Sequence, residues 1–516
     1  MATKAKFQAI KGTRDLLPPE TQLWNRVERT THEVFATFGF GEIRPPIFEP
    51  TELFARAVGG DTDIVSKEMY TFSENPYAAE VEAHRDWITN KLYTNVSDPE
   101  VSNRFSRRLH DFIEHVDEQV RAGVVNTPSD FEALRSRIRE FDEGESSTAL
   151  GIISMVNSLK FAEKVSLRPE ATASVCRAYI ENNLQQLPQP VKLYYLGPMF
   201  RRERPQKGRY RQFYQIGAEI LGGSDAPAID AELIEMLMTF FGKLDLEGTT
   251  LHINSIGHSA PNCRRGYVEK LKAELEKVKD KLGPDSQRRI ETNPLRVLDS
   301  KLEFEQGVIE KLPHIADHLC EDCAKHYAAV KQHLELRGVI YRENWRLVRG
   351  LDYYMRTTFE ITAQGLGSQN AVCGGGRYDG LVELLGGPPT KGIGFAIGED
   401  RLILSLQEGG KAPAKQGRDV YIAWMGERAY ATAVRAAKDL RNAGFSVELP
   451  PSELKFGKAL GQADKLGARF ALILGDNEVS EGLWTLKTLA DGTQTKLPEP
   501  ALIEHLRKSL LAAGGV

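Results

Sequence analysis

At 516 residues the chain is too long for one hydrophobic core and is expected to form roughly three domains of about 150 residues each. With 41% hydrophobic and 27% charged residues the composition is that of a soluble globular protein; no run approaches the ~20 apolar residues of a membrane span, and the opening MATKAKFQAIKG lacks a signal peptide's apolar centre, so a cytoplasmic protein is expected. The formal net charge of -4 gives no support to a nucleic-acid partner held by the field of the whole molecule, so any such partner must be met by local basic patches.

Residues 73–163 carry two amphipathic helical patterns. Val101, Phe105, Leu109, Phe112, Val116 and Val120 recur at helical spacing up to Gly123. A second helix is signalled by Thr127 as N-cap, Pro128 and Asp130 in the first turn, and an apolar stripe of Phe131, Leu134, Ile138 and Phe141. Together they read as a helical hairpin, either a packing accretion or an extension of a functional surface.

Residues 192–220, KLYYLGPMFRRERPQKGRYRQFYQIGAEI, have the layout of an antiparallel hairpin around a basic loop. Arg201, Arg202, Arg204, Lys207, Arg209 and Arg211 face one acid, Glu203. That density suits phosphate, which guanidinium groups bind bidentately; a solvated charged hairpin is the alternative, against which the apolar strands argue for a core sheet.

Residues 248–345 show charged helical patterns such as GYVEKLKAELEKVKDKLG, ending in Gly283. Here His318 and His326 flank Cys320 and Cys323 in HLCEDCAKH. Helical spacing presents only two of these four on one face, so they read as two buried thiols on a helix, and no protein-held metal centre is expected. Five scattered cysteines fit reduced thiols.

In YRENWRLVRGLDYYMRTTFE, residues 341–360, Arg349 stands beside Gly350 and is followed by Asp352, Tyr353 and Tyr354. The alternation of Tyr354, Arg356, Thr358 and Glu360 reads as a strand, whose edge would hold Arg349 rigidly. A fixed cation, a flexible backbone point and two phenols suggest a small-molecule site; a surface ion pair of Arg349 with Asp352 is the alternative. The glycines of CGGGRYDG and GIGFAIGEDR do not continue as Gly-Lys-Ser/Thr, which disfavours a P-loop.

Residues 406–418, LQEGGKAPAKQGR, lose apolar periodicity and read as a linker. Beyond them DVYIAWM, ATAVRAAKDLRNAG, FSVELP, FGKALGQADKLG and ARFALILGD alternate as strand, helix, strand, helix, strand. This predicts a small α/β domain with a mostly parallel sheet, a module that by itself fits many functions.

GPMFRRERPQKGRYRQF together with LVRGLDYYMRTTFE resembles the histidyl-tRNA synthetases, a family of class II aminoacyl-tRNA synthetases. KGTRDLLPPE and GFGEIRPPIFEPTELFARAVG are similar to the first class II motif, the dimer-forming helix and strand. SLRPEATASVCRAYI resembles the amino-acid-binding loop, VCGGGRYDGLVELLGG the second histidine-specific signature, and GIGFAIGEDRLIL the third class II motif. The matches follow the family's order and lie outside residues 73–163, where the family would pass through a short turn. The resemblance implies an α+β fold: a class II catalytic domain with a central antiparallel sheet from residues 1–72, 164–247 and 346–405, an extra helical insertion over 73–163, a helical insertion domain over 248–345, the linker 406–418 and a C-terminal α/β anticodon-binding domain over 419–516. The implied activity is ATP-dependent activation of L-histidine to histidyl-adenylate and transfer to the 3′ end of tRNA(His) by a cytoplasmic homodimer, with Mg2+ accompanying the ATP. The other reading is a non-catalytic, histidine-sensing paralogue that regulates an enzyme of histidine biosynthesis. Such paralogues lack the anticodon-binding domain and degrade the signatures kept here.

By the same resemblance, Arg201 holds the α-phosphate and carboxylate, Arg401 the γ-phosphate, and Arg349 the far side of the α-phosphate, with Glu203 also at the ATP. Glu170, Thr172 and Gln215 receive the ammonium group, Glu219 and Tyr354 grip the imidazole nitrogens, and Tyr353 and Tyr378 line the pocket. Arg204 and Gln206 meet the tRNA acceptor end. Mg2+ would be held by phosphate oxygens and a carboxylate such as Asp400 or Glu203, and the glycines would let the backbone approach ATP. Two positions depart from the family: Ala171 where Gly is usual, and Asp400 in GEDRL where Glu is usual in GLERL.

Overall fold

A computed structural model describes residues 7–59, 62, 64–73, 164–349, 353–366, 370–411 and 417–513; the helices expected over 101–141 lie outside them. The chain divides into two compact units, one of residues 1–15 and 24–411, the other of 16–23 and 412–516. No helix among the described residues is long and apolar enough to cross a membrane.

The strands of the larger unit are β1 (Gly41–Glu42), β2 (Phe48–Pro50), β3 (Tyr70–Ser73), β4 (Lys164–Leu167), β5 (Val191–Phe200), β6 (Gln212–Leu221), β7 (Thr250–Ser255), β8 (Arg342–Glu343), β9 (Met355–Thr362), β10 (Ala371–Arg377) and β11 (Gly392–Gly398). Eight of them form one sheet in the order β1-β5-β6-β11-β10-β9-β7-β8, while β2, β4 and β3 form a small one. Pairing is antiparallel from β5 across to β7 and parallel at the two edges. This is the expected central antiparallel sheet.

The β5–β6 hairpin is in register from Val191 opposite Leu221 to Phe200 opposite Gln212, which leaves the basic residues 201–211 as its loop. Strand alternation turns Gln215, Gly217 and Glu219 to one face of β6 and Ile216, Ala218 and Ile220 to the other. The apolar face is covered by the helices Glu20–Thr37 and Pro227–Lys243, where Phe35 meets Phe240 and Phe395 edge-on. Pro227 opens its helix at a position whose N–H would have no intrahelical partner. Asp230, in the first turn, is fully buried and faces Arg377 at the end of β10.

Beyond β7 the helices Gly266–Glu276, Pro284–Thr292, Glu303–Ile309 and Glu321–Leu336 follow. Leu271, Leu275, Ile290 and Ile309 bury into a cluster that also holds Tyr354. β7 pairs with β9, so the stretch expected to be helical from 248 opens with a strand of the main sheet. The first helix stops at Glu276 rather than running to Gly283. Gly283 instead precedes the next helix, and its N–H donates to the buried Glu305 carboxylate at 2.6 Å. At the other end, Leu406 is buried in the last turn of Glu399–Glu408, so the first residues of the expected linker are helical.

The smaller unit has β12 (Val420–Met425), β13 (Val447–Glu448), β14 (Phe470–Gly475), β15 (Leu483–Thr488) and β16 (Gln494–Pro498) in the order β13-β12-β14-β15-β16. The first three are parallel, as the alternating pattern predicts, and an antiparallel β15–β16 hairpin is added. Alanines 429, 433, 436 and 437 let the helix Glu427–Asn442 pack closely on Leu472 and Leu474.

Arg377 and Asp230 are 1% and 0% exposed at the side chain. Replacing one member leaves a buried charge alone, so Arg377→Met is expected to destabilise the protein by about 3–5 kcal/mol in denaturant titration, and the double variant with Asp230→Leu to recover most of that loss.

Candidate active site

A cavity of about 460 Å³ opens over the polar face of the large sheet, between the β5–β6 loop and the segment leading into β9. Arg201, Arg349 and Arg401 all line it. Arg201 follows β5; its Nε donates to the Pro169 carbonyl at 2.9 Å and its guanidinium sits 5.3 Å from the centre of the Phe213 ring, so the group is aimed before any ligand arrives. Arg401 projects from the first turn of Glu399–Glu408. Burial and then the nearby Arg209 lower its pKa, although a guanidinium stays charged at neutral pH.

Arg349 does not sit on a strand edge as expected; it precedes β9, and the strand begins only at Met355. It is fixed instead by Glu360 of β9, whose Oε2 accepts from Nη1 at 3.1 Å, and by the Tyr354 ring 5.9 Å away. Its alternative partner, Asp352, lies outside the described residues. The guanidinium rests on Gly374 of β10, where a Cβ would collide with it. Its Nε is buried and has no hydrogen-bond partner among the described residues.

Glu170, Thr172, Gln215, Tyr353 and Tyr354 line the same cavity, with Glu203 at the hairpin side. Glu170 accepts from the backbone N–H groups of Thr172 and Ala173 at 2.7 and 3.0 Å and so caps the helix Thr172–Glu181. Burial raises its pKa and these donors pull it back. Ala171 has φ −116°, which any residue adopts, so the departure from glycine there costs no backbone strain. Gln215, which lines the cavity, keeps a buried Oε1 without a partner among the described residues.

Beneath this layer lies Glu219, fully buried on β6. Its Oε1 accepts from the Thr172 hydroxyl at 2.7 Å and its Oε2 from the Tyr378 hydroxyl at 2.5 Å. A Cβ at Gly394 would collide with Oε2, so the neighbouring strand is cut away to admit the carboxyl. Burial pushes Glu219 up to about 8, more than its two hydroxyl donors recover. Tyr378, expected on the lining, stands behind it at 2% exposure and touches Tyr353 edge-on at 5.7 Å.

Arg204 and Gln206 are exposed at the hairpin tip, apart from the cavity. Asp400 lines it but has both oxygens engaged, by the Tyr214 N–H at 2.9 Å and by Arg14 at 3.2 Å. Sequence reasoning missed Glu360, Asp299 and Lys301 as lining residues. Glu360 could have been found, since the alternation that defines β9 puts it two positions from Thr358. Asp299 and Lys301 come from an irregular stretch between helices with no motif around them.

An antiparallel sheet with three converging arginines on one face, followed by a separate α/β unit, is the architecture of a class II aminoacyl-tRNA synthetase. Residues 127–402 match the family model for histidyl-tRNA synthetase and residues 419–509 the model for an anticodon binding domain. The histidine–tRNA ligase of Solibacter usitatus is 45% identical over 501 residues, covering 97% of this chain and 99% of that one. That of Koribacter versatilis is 44% identical, covering 97% and 96%. Among solved structures, apo S. aureus histidyl-tRNA synthetase superposes with a TM-score of 0.67 at 31% identity, covering 97% of this chain and all of that one. The chain belongs to the histidyl-tRNA synthetase family.

Two outcomes follow from this geometry. Between an ordinary carboxyl pKa of 4.5 and about 8 the folded chain keeps a proton on Glu219 that the unfolded chain releases, so stability of the ligand-free protein falls as pH rises through that window. The contribution is about 2–3 kcal/mol between pH 5 and 7.5, and Glu219→Gln should flatten it in melts recorded across that range. Gly374→Ala displaces the Arg349 guanidinium and should lower the rate of amino-acid activation at least about tenfold while leaving the melting temperature within a few degrees of wild type.

Proposed function

We infer that this chain activates L-histidine with ATP and transfers it to the 3′ end of tRNA(His). In the first step a histidine carboxylate oxygen attacks the α-phosphorus, the bond to the β-phosphate oxygen breaks, and pyrophosphate leaves. Two anions must be brought together and charge builds on the α-phosphate oxygens, so the useful device is fixed positive charge aimed at that point. Arg201 and Arg349 take the two sides of the α-phosphate and Arg401 the γ-phosphate. The observation that carries this reading is the convergence of these three guanidinium groups on one cavity, each oriented by a protein partner or by burial, with the Arg349 Nε having no hydrogen-bond partner among the described residues.

Glu170, Thr172 and Gln215 receive the substrate ammonium, and Glu219 and Tyr354 receive the imidazole, with Tyr353 and Tyr378 packing around it. A pocket that hydrogen-bonds both ring nitrogens rejects apolar isosteres by about 10⁴ or more, because its polar groups would be left unpaired. In the second step the terminal ribose hydroxyl of the tRNA attacks the acyl carbon and AMP leaves; Arg204 and Gln206, exposed at the hairpin tip, suit contact with the acceptor end.

Mg2+ would come with the ATP. Among the lining carboxylates, Glu203, whose partners include Arg201 and Arg209, or Asp400, which meets the Tyr214 N–H and Arg14, would hold it against the phosphates. The ion would neutralise phosphate charge. In domain terms, residues 1–72, 164–247 and 346–405 form the catalytic part, and 419–516 read the anticodon. A homodimer is supported by Ile47 and Phe48, 45% and 54% exposed at the small sheet, and a cytoplasmic setting by five unpaired thiols.

Histidine-dependent exchange of pyrophosphate into ATP tests the activity; well-folded protein without exchange would overturn it and favour the regulatory reading. In the same assay Arg349→His should lower the rate about 10³-fold with the fold intact, and near-normal single-turnover adenylate formation by that variant rules out the role given to Arg349.

A further inference from the structure

We propose that the chain carries a structural zinc site built from His258, Cys263, Cys320 and Cys323. Their four ligand atoms all lie within 4.8 Å of one another. The loop after β7 brings His258 and Cys263; the start of the helix Glu321–Leu336 brings Cys320, as its N-cap, and Cys323 from its first turn. His258 Nδ1 is 3.0 Å from Cys323 Sγ and 3.7 Å from Cys320 Sγ. Zinc bonded to sulfur and nitrogen at its usual lengths sets tetrahedral edges of about 3.5–3.8 Å, so small side-chain adjustments enclose the ion.

The donor set suits zinc. Three thiols and an imidazole are the ligands of a closed Cys₃His site, with no position left open for substrate. Without an ion the cluster is poorly satisfied, since thiols are weak donors and weak acceptors, and all three are free of disulfides. The surroundings are shaped to it as well. The Cys320 N–H points at Cys263 Sγ, 3.5 Å away, as backbone amides do around metal-bound sulfur. Gly257, at φ +62°, turns the loop so tightly that a Cβ would come 2.6 Å from the same sulfur.

The expectation of two thiols on one helix therefore captured half of the cluster. Its other half lies about sixty residues upstream, and the flanking histidines take no part: His318 contacts Lys270, and His326 bonds the Asp225 carbonyl. The cluster also grips the main sheet. Arg264, next to Cys263, donates to the Tyr354 carbonyl at 2.5 Å, and the Gly257 carbonyl accepts the Arg356 N–H at 2.8 Å. Zinc would thus tie two helices of the inserted segment to the strand that begins beside Tyr353 and Tyr354.

The test is elemental analysis of the full chain, purified without chelator under reducing conditions, followed by stripping and titration with Zn2+. About one zinc per chain is expected, absent from Cys320→Ser/Cys323→Ser, and Co2+ in its place should give the sulfur-to-metal charge-transfer absorption of tetrahedral thiolate ligation. Because the double variant could lose its fold for other reasons, wild-type protein stripped by chelator should melt at lower temperature and recover on adding Zn2+. Failure of the wild type to take up stoichiometric Zn2+ or Co2+, or equal zinc in the double variant, overturns the site. A melting temperature indifferent to bound zinc overturns its structural role.

Discussion

Asp230 and Arg377 meet in a part of the protein that water does not reach, and the floor of the active site hangs from that ion pair. Arg377 also donates to Asp379, which accepts the Gly392 N–H, so the end of β10, the following turn and the start of β11 are locked together. Tyr378 lies between these two anchored residues. Its hydroxyl reaches Glu219, Glu219 reaches Thr172, and Thr172 opens the helix that Glu170 caps. Two sets of polar contacts, joined through the chain at residues 377–379, therefore run from the helix behind the sheet toward the cavity face. Such a set is stable only if every member is satisfied, because a lone charge in this interior costs several kcal/mol.

The floor and the rim are built on different terms. Below, both Glu219 oxygens and both Glu170 oxygens have protein partners. Above, Arg349 and Gln215 each retain a buried polar atom without one among the described residues. Both residues line the cavity, where a ligand would complete them. Preorganised cations with spare hydrogen-bonding capacity, aimed at one point, are what stabilisation of a developing phosphate charge requires.

The features legible in the sequence were those with local periodicity. Ten-residue alternation in β5 and β6 predicts the hairpin and the loop of arginines, and the strand-helix alternation predicts the parallel part of the smaller sheet. What escaped depends on contacts between distant segments. Arg349 looked like a strand residue because β9 follows it closely, but its rigidity comes from Glu360 and from the bare backbone of Gly374. The helix ending at Glu276 runs short of Gly283 because a buried carboxylate from Glu305 claims that glycine's N–H for the next helix. The His258 and Cys263 pair has no signature of its own; only tertiary packing sets it against Cys320 and Cys323.

Asp299 and Lys301 reach the cavity from a segment whose helices pack in a core that also takes in Val348 and Tyr354. A ligand filling the cavity would therefore touch two layers of the molecule at once and act as a clasp between them. Fluctuation of the helical layer would then be coupled to occupancy of the pocket.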